Sequence, residues 1–574
     1  TDVLIIGGGL AGCMAAIKAV EHGVSVTIAE KGNTTTSGCA GTGIEHTWAD
    51  IPPVHENRGW AIEDLMEDHI QGIAGGLINK ELLYLVASEN YDRVLDLERF
   101  GINFRYEDSN APGKFRIVHQ FHSMPTTFNF DGRELKTVLT KEARRRGVSI
   151  VNRVTMTDLI SHDGEIAGAL GLGTRDGKLY IFRAKAVVLS TGRVNRLTRS
   201  RTGIWGNHRI PVDQTGDGRA MALRAGVRVI NMEFLSPAGF SIGNYEINLG
   251  SPRNTTQPAG SITGLDGEVF VPRTYFYDWE RLGEEKVDAV EARRKWLAER
   301  SKSRPNYFEL YRQGKGPFFL DLTNATEEEI KYIEWSISHE GKGYHFLHYL
   351  KEQENVDLRM DKLEFLPNSR EMAGTAASGL VVNTDLETSL RGLYAAGDEV
   401  GGVPWTASAG AFAMGWRAGD GAGRRAKAQD SFAPVCDERI ESLREMCSTM
   451  LARGDGLHWS EVELAVQNIV DYYAGDVRSH NMLKRGVDRL RDVRASAMFA
   501  AQNPHELGRC LEVRSIIDNA EMVMRASLER KESRRFPVGF YRADYPDQDD
   551  ANWLCFLSTR LEEGQFKFSK IPIS

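Results

Sequence analysis

Apolar positions run together through Asp2–Gly7, the mark of a strand buried on both faces, and Val24–Glu30 reads as a second strand ending in an acid. Between them an alanine-rich stretch keeps helical spacing as far as His22, and Gly23 turns the chain. The pattern predicts strand, helix, strand, the opening of a parallel sheet. Two later apolar runs have the same strand character. Ala186–Ser190 precedes Thr191-Gly192, and Leu393–Ala396 precedes Gly397-Asp398. "GALGLGTRDGKLYIF", beginning at Gly168, predicts a β-hairpin, because a turn and another strand follow its glycines where a dinucleotide motif has a helix. Helical periodicity marks "VDAVEARRKWLAER" (287–300) and "TEEEIKYIEWSISHE" (326–340). It dominates 431–530, as in "RIESLREMCSTMLAR" and "EVRSIIDNAEMVMRASLERK". Residues 531–574 are rich in aromatic side chains and carry few helix signals, as expected of a tail packed across a surface.

Composition narrows this picture. With 574 residues the chain builds two or three domains. Its 71 basic and 79 acidic residues leave a net charge of −8, which argues against nucleic-acid binding. No run reaches the roughly 18 apolar residues of a membrane span, and the helical stretch Ala11–Val20 carries Lys18. With strand signal from Asp2 onward and no leader pattern, a soluble, cytoplasmic protein is expected. The cysteines, Cys13, Cys39, Cys436, Cys447, Cys510 and Cys555, form no C-x-x-C pair. Local ligand spacing for an iron–sulfur cluster or zinc is therefore missing, so a cluster serving this protein belongs to another chain. His119 and His122 have no suitably spaced acid partner, and no metal is expected.

The glycines carry the chemistry. Gly7, Gly9 and Gly12 have G-x-G-x-x-G spacing at the junction of the first strand and helix. The first permits the tight turn, the second lets backbone approach a pyrophosphate, and the third lets helix and strand pack closely. The helix N-terminus, with Ala11 in its first turn, offers free N–H groups to phosphate. Glu30 ends the second strand, where it accepts hydrogen bonds from ribose hydroxyls, with Lys31 beside it. With the two further strand-ending sites, Thr191-Gly192 and Gly397-Asp398, the chain resembles the two-dinucleotide-domain flavoproteins, in which such strands return to the same sheet. Asp398 suits ribityl hydroxyls, which NAD lacks. Together the sites point to FAD, and no second nicotinamide site is visible.

"TGDGRAMALRAGVRVINMEF" (215–234), "GLYAAGDEVGG" (392–402) and "ERKESRRFPVGFYRADYPDQDDANW" (529–553) resemble the fumarate reductase/succinate dehydrogenase flavoprotein superfamily. Within it, the tail and "GVPWTASAGAFAMGWRAG" (402–419) look most like adenylylsulfate reductase α subunits. The resemblance implies a Rossmann-like FAD-binding domain (1–230 and 365–430), an inserted α+β capping domain (231–364), a C-terminal helical domain (431–530) and an extended tail (531–574). It implies that "TTTSGCAGTG" lies along the flavin, so that Ser37, Gly38, Gly41, Thr42 and Gly43 line it. Gly38 stands where membrane fumarate reductases have the histidine that binds FAD covalently, so noncovalent FAD is expected. Cys39 in this loop is a small packing residue or a redox thiol. Val154 matches the backbone position that meets the adenine edge, and Asp217 belongs to the shared TGDG motif. The helix beginning near Ser408, Gly410 and Ala411 points its N-terminus at the flavin, favouring negative charge on the reduced ring.

Departures from the family bear on the substrate. Fumarate enzymes have a His-Pro-Thr segment where this chain has "LSPAGF" (235–240). Their His-Tyr-Thr-Met-Gly-Gly is "EMAGTAASGL" (371–380) here, and their Asn-Arg-Leu-Gly-Gly arginine is lost in "TASAG" (406–410). The grip on a dicarboxylate is missing at all three. The adenylylsulfate pattern departs once, with Gly239 in place of an arginine. The run "RVNRLTRSRTGIWGNHR" (193–209) keeps the basic, tryptophan-containing approach to that site. His46, Trp205, His208 and Arg209 are the catalytic candidates. His46 titrates near neutral pH, Trp205 offers a stacking face, and His208 and Arg209 suit an anion. A surface or packing role stands beside each. Three functions stay open: an adenylylsulfate-reductase-α-like enzyme exchanging electrons with a ferredoxin-like iron–sulfur subunit, an FAD-dependent reductase or dehydrogenase of a small organic substrate, and a non-catalytic electron-transfer flavoprotein. An oligomer is compatible with each, and none involves membrane insertion.

Overall fold

The computed structural model describes residues 1–107, 112–118, 122–199, 205, 211–237, 240–242, 259–273, 294–295, 307–367, 370–371, 377–435, 437–535 and 537–573. Its centre is a five-stranded parallel sheet of β1 (Val3–Ile6), β2 (Val26–Glu30), β3 (Ser149–Asn152), β4 (Ala186–Leu189) and β5 (Leu393–Ala395), in the order β5-β4-β1-β2-β3. All four residues of β1 are buried, as the unbroken apolar run requires of a strand covered on both faces. β1, β2, β4 and β5 are each shorter than the run that predicted them.

The chain leaves β1 toward β2 on one side and reaches β4 on the other. The carboxyl end of β1 is thus a topological switch point, where an open sheet leaves a crevice. Two helices meet over this end. The first, α1 (Leu10–Ala19), follows the glycine loop, and α2 (Ala407–Ala428) follows β5. They pack through small residues. A Cβ added at Gly415 would lie 2.5 Å from the Ala11 carbonyl oxygen, and one at Gly419 would lie 2.2 Å from that of Ala15. Only glycines four apart on one face let two backbones come this close.

The predicted hairpin is present. Glu165–Gly173 pairs antiparallel with Leu179–Arg183 and with Val154–His162. Across 240–367, a five-stranded sheet including Ser261–Gly264, Phe318–Asp321 and Leu363–Pro367 packs against Glu327–Ser338 and Gly341–Glu352. This unit has its own core of Ile262, Phe318, Leu320, Ile330, Ile333 and Phe346. The helix expected at 287–300 lies almost wholly outside the described residues. Helices Asp437–Ala452, Trp459–Tyr473, His480–Ser496 and α3 (Pro504–Glu529) follow. At the end of the chain, Cys555–Glu562 and Gln565–Pro572 form a hairpin that adds to Val229–Ile230 and Gly379–Leu380. The fold is a mixed α/β FAD-binding domain with an α+β insertion and a helical C-terminal part. Among the described residues, no helix is long and apolar enough to cross a membrane.

Candidate functional site

An elongated cavity opens at the carboxyl ends of β1, β2, β4 and β5. Gly7 and Gly9 reach it from the loop after β1. Gly7 has φ +97°, and a Cβ there would lie 2.6 Å from the Ser190 carbonyl oxygen. Only glycine allows the loops after β1 and β4 to meet in this way. A Cβ at Gly9 would enter open space. Glu30, Lys31, Val154 and Asp217 line one region of the wall. Thr191, Gly192, Gly397, Asp398 and Gly38 line another, and His46, Ser408 and Ala411 a third.

Each carboxylate is held in place. Glu30 accepts from the Gly8 N–H at 2.6 Å and from the Gly32 N–H at 2.7 Å, which fixes the loop against the end of β2. Lys31 donates to the Asp213 carbonyl at 2.7 Å and to Asp217 Oδ2 at 2.5 Å, and pairs with Glu512 at 3.1 Å. Burial opposes its charge, but Asp217, Glu512 and Asp213 hold the ammonium well above its ordinary range. Burial also pushes Glu512 up, yet Lys31, Arg196 and Arg509 overcome it and bring the carboxyl down to about 2. Asp398 accepts from Arg193 at 2.8 Å. Behind it the buried Glu399 accepts from Thr191 Oγ1 at 2.5 Å, and burial pushes its carboxyl up.

The third region carries the groups suited to moving protons. His46 begins a short strand, His46–Trp48, and its Nδ1 lies 2.8 Å from Glu45 Oε1. Glu45 is buried, and its carboxylate accepts from Nδ1–H and so orients the imidazole at the cavity wall. The Ser408 hydroxyl donates to the His46 carbonyl at 2.9 Å, tying this strand to the N-terminus of α2. Glu340, at the end of a helix of the insertion, completes the wall.

Not every expected residue reaches the cavity. Gly12 lies beneath the loop, where a Cβ would lie 1.9 Å from the Gly7 carbonyl, so its role is close packing. Ser37, Gly41 and Gly43 shape neighbouring turns, and Gly410 lies in the first turn of α2. A Cβ at Gly41 would meet the Thr36 carbonyl, and Gly410 packs against Thr406. Thr42 is exposed. Trp205 is 52 % exposed and sits edge-on to Trp459 at 5.9 Å, between Arg196 and Arg509. His208 and Arg209 lie outside the described residues. Cys39 does line the cavity, with its sulfur beside the Gln214 amide.

Sequence reasoning missed Glu45, Asp213 and Glu340. Glu45 adjoins His46, and that neighbourhood was its signal. Asp213 stands four residues before Asp217, and its Oδ1 is buried with no hydrogen-bond partner among the described residues. Burial pushes this carboxyl up. Glu340 had no local signal, because only tertiary packing brings the insertion to the site.

These residues fit FAD. The glycine loop leaves open space at Gly9, an acid ends β2, and Asp213 offers an unsatisfied acceptor to a hydroxyl or amino donor. Comparison with known proteins agrees. Residues 2–325 match the family described as FAD binding domain, and residues 463–573 match the fumarate reductase flavoprotein C-terminal family. A fumarate reductase (CoM/CoB) chain of Methanothermobacter marburgensis is 27 % identical, covering 98 % of each chain. L-aspartate oxidase of Yersinia pestis is 27 % identical over 96 % of each. Among solved structures, adenylylsulfate reductase from Archaeoglobus fulgidus superposes with a TM-score of 0.83 at 22 % identity, covering 100 % of this chain and 96 % of that one.

Proposed function

Because this chain belongs to the fumarate reductase/succinate dehydrogenase flavoprotein superfamily and is an FAD-dependent oxidoreductase, we propose that it is an adenylylsulfate-reductase-α-like flavoprotein subunit that holds FAD noncovalently and exchanges electrons with an iron–sulfur partner chain. One observation carries this reading. Among the described residues, the guanidinium that lines the cavity is Arg193, and Asp398 already holds it at 2.8 Å. The start of α2 presents Ala407, Ser408 and Ala411 to the same cavity. A dicarboxylate needs a bidentate arginine clamp, and among the described residues these walls offer none. Gly38, in the loop where relatives attach the flavin through histidine, supports noncovalent binding. Bound FAD supplies the two-electron acceptor and donor. The residues around it then supply position and protons: Glu45 orients His46, Ser408 anchors its strand, and the insertion bearing Glu340 shields the site from water.

A second reading, an FAD-dependent oxidoreductase of a small organic substrate, is favoured by the Glu45–His46 dyad. Breaking a C–H bond needs a base, whereas attack by sulfite does not. One experiment separates the two. The flavin-loaded protein is titrated with sulfite, with and without AMP, and then with small organic acids including succinate and L-aspartate. Bleaching of the visible flavin band by sulfite, strengthened by AMP, is the expected result. A band untouched by sulfite but reduced by an organic acid overturns the first reading. The second reading also predicts that His46→Gln slows that reduction about 10²- to 10⁴-fold with flavin retained.

A further inference from the structure

Lys136, on the helix Leu135–Arg145, is 1 % exposed. Among the described residues its ammonium has no carboxylate partner. It donates to the Gly8 carbonyl and lies 3.4 Å from Cys13 Sγ. A buried ammonium with one carbonyl and one sulfur beside it is expensive unless a negative charge completes its surroundings. Gly7 and Gly9 line the cavity, but Gly8 and Lys136 do not. The lysine therefore reaches the glycine loop from the protein side.

Its partner atom fixes the loop. The Gly8–Gly9 peptide is trans, so its C=O and N–H point in opposite directions. With the carbonyl held by Lys136, the Gly9 N–H is turned away from the lysine. This N–H makes no backbone hydrogen bond within the described fold, and a Cβ at Gly9 would meet open space. On the preceding peptide, Glu30 holds the Gly8 N–H at 2.6 Å. Two adjacent peptides are thus clamped from behind, one by an acid and one by a base.

We propose that Lys136 is a positioning residue for the FAD diphosphate: it clamps the Gly8–Gly9 peptide so that the Gly9 N–H faces the diphosphate, and its buried charge is the counter-charge to that anion. The proposal rests on the FAD site and is independent of which substrate the enzyme takes. Because the ammonium polarises the carbonyl it holds, the N–H at the other end of the peptide becomes a stronger donor.

The test compares FAD with riboflavin, which lacks the diphosphate, on the full-length chain by flavin-fluorescence titration. Lys136→Met removes the clamp and the charge. Lys136→Gln keeps an N–H for the Gly8 carbonyl without the charge. Lys136→Met is expected to weaken FAD binding about 10- to 100-fold, the scale of a charge-assisted hydrogen bond. Lys136→Gln is expected to recover part of that loss, and riboflavin affinity is expected to stay within about twofold of wild type in both. FAD affinity unchanged in the folded variants, or equal losses for FAD and riboflavin, would overturn the proposal. Should Lys136→Met fail to fold, Lys136→Gln carries the same comparison. Wild-type protein that binds riboflavin as tightly as FAD would instead remove the FAD site on which the proposal depends.

Discussion

His69 is fully buried, with Nδ1 3.0 Å from His122 Nε2 and Nε2 2.9 Å from the Pro404 carbonyl, and Trp48 packs at 5.2 Å. Pro404 belongs to the turn that leads into α2, so this imidazole helps hold one wall of the site. Burial disfavours its charged form and brings its pKa from 6.5 down to about 4, against the opposing pull of the Pro404 carbonyl. A folded-state value below the unfolded one contributes stability that is complete above pH 6.5 and is lost as pH falls toward 4. The loss amounts to roughly 3 kcal/mol. Thermal melting at pH 7 and pH 4.5 measures it, and His69→Gln is expected to flatten the pH dependence. Equal slopes in the two proteins would exclude His69 as the source. At this scale the glycine loop was legible, because Gly7 and Gly9 act through backbone freedom that their own sequence declares. Asp213 was not, because an unsatisfied carboxylate oxygen is defined by everything packed around it.

The contact between α1 and α2 decides how the cavity is walled. Gly415, Gly419 and Gly423 lie along one face of α2, opposite Ala11, Ala15 and Ala19. At Gly419 two effects oppose each other. Replacing a helical glycine by alanine gains about 1 kcal/mol in helix propensity. Its Cβ would lie 2.2 Å from the Ala15 carbonyl oxygen and 2.7 Å from Ala15 Cα, both backbone atoms that cannot move aside alone. Overpacking of this kind costs about 1–3 kcal/mol, so the clash prevails. Gly419→Ala is expected to lower the melting temperature and to weaken flavin binding, since α2 carries Ser408 and Ala411. Melting with and without added FAD tests this, and a more stable variant would refute it. Helix α2 was legible through the resemblance of "GVPWTASAGAFAMGWRAG" to the family's helix at the flavin, a run that includes Gly415 and Gly419. Their partner was not, since α1 lies about 400 residues earlier in the chain.

Across the whole molecule, the end of the chain is tied to the FAD-binding core by buried ions. Arg530 pairs with Glu233 at 2.5 Å and with Glu532 at 2.8 Å, while Arg534 reaches Glu532 at 2.9 Å. All four side chains are fully buried. Burial acts against each charge, so each partner depends on the others. Glu532→Gln leaves two guanidinium groups short of their counter-charge, and a loss of about 3–5 kcal/mol is expected in chemical denaturation. A change below about 1 kcal/mol would show that the network is dispensable. Of the charged residues of "ERKESRR", folding buries Arg530, Glu532 and Arg534 while Glu529, Lys531 and Arg535 stay exposed, and the Trp553 and Cys555 carbonyls accept from Arg530.

The sequence by itself determined four of the sheet's five strands, β1, β2, β4 and β5, with the glycine loop and the acid ending β2, and the strand-ending glycine sites together pointed to the cofactor. Each rests on local periodicity or on backbone freedom encoded within a few residues. Tertiary structure alone decided which acid orients His46, which carboxylate oxygen is left unsatisfied, where Trp205 lies and which lysine backs the loop. Those properties come from burial and from contacts between residues far apart in the chain, and no short window of sequence contains them.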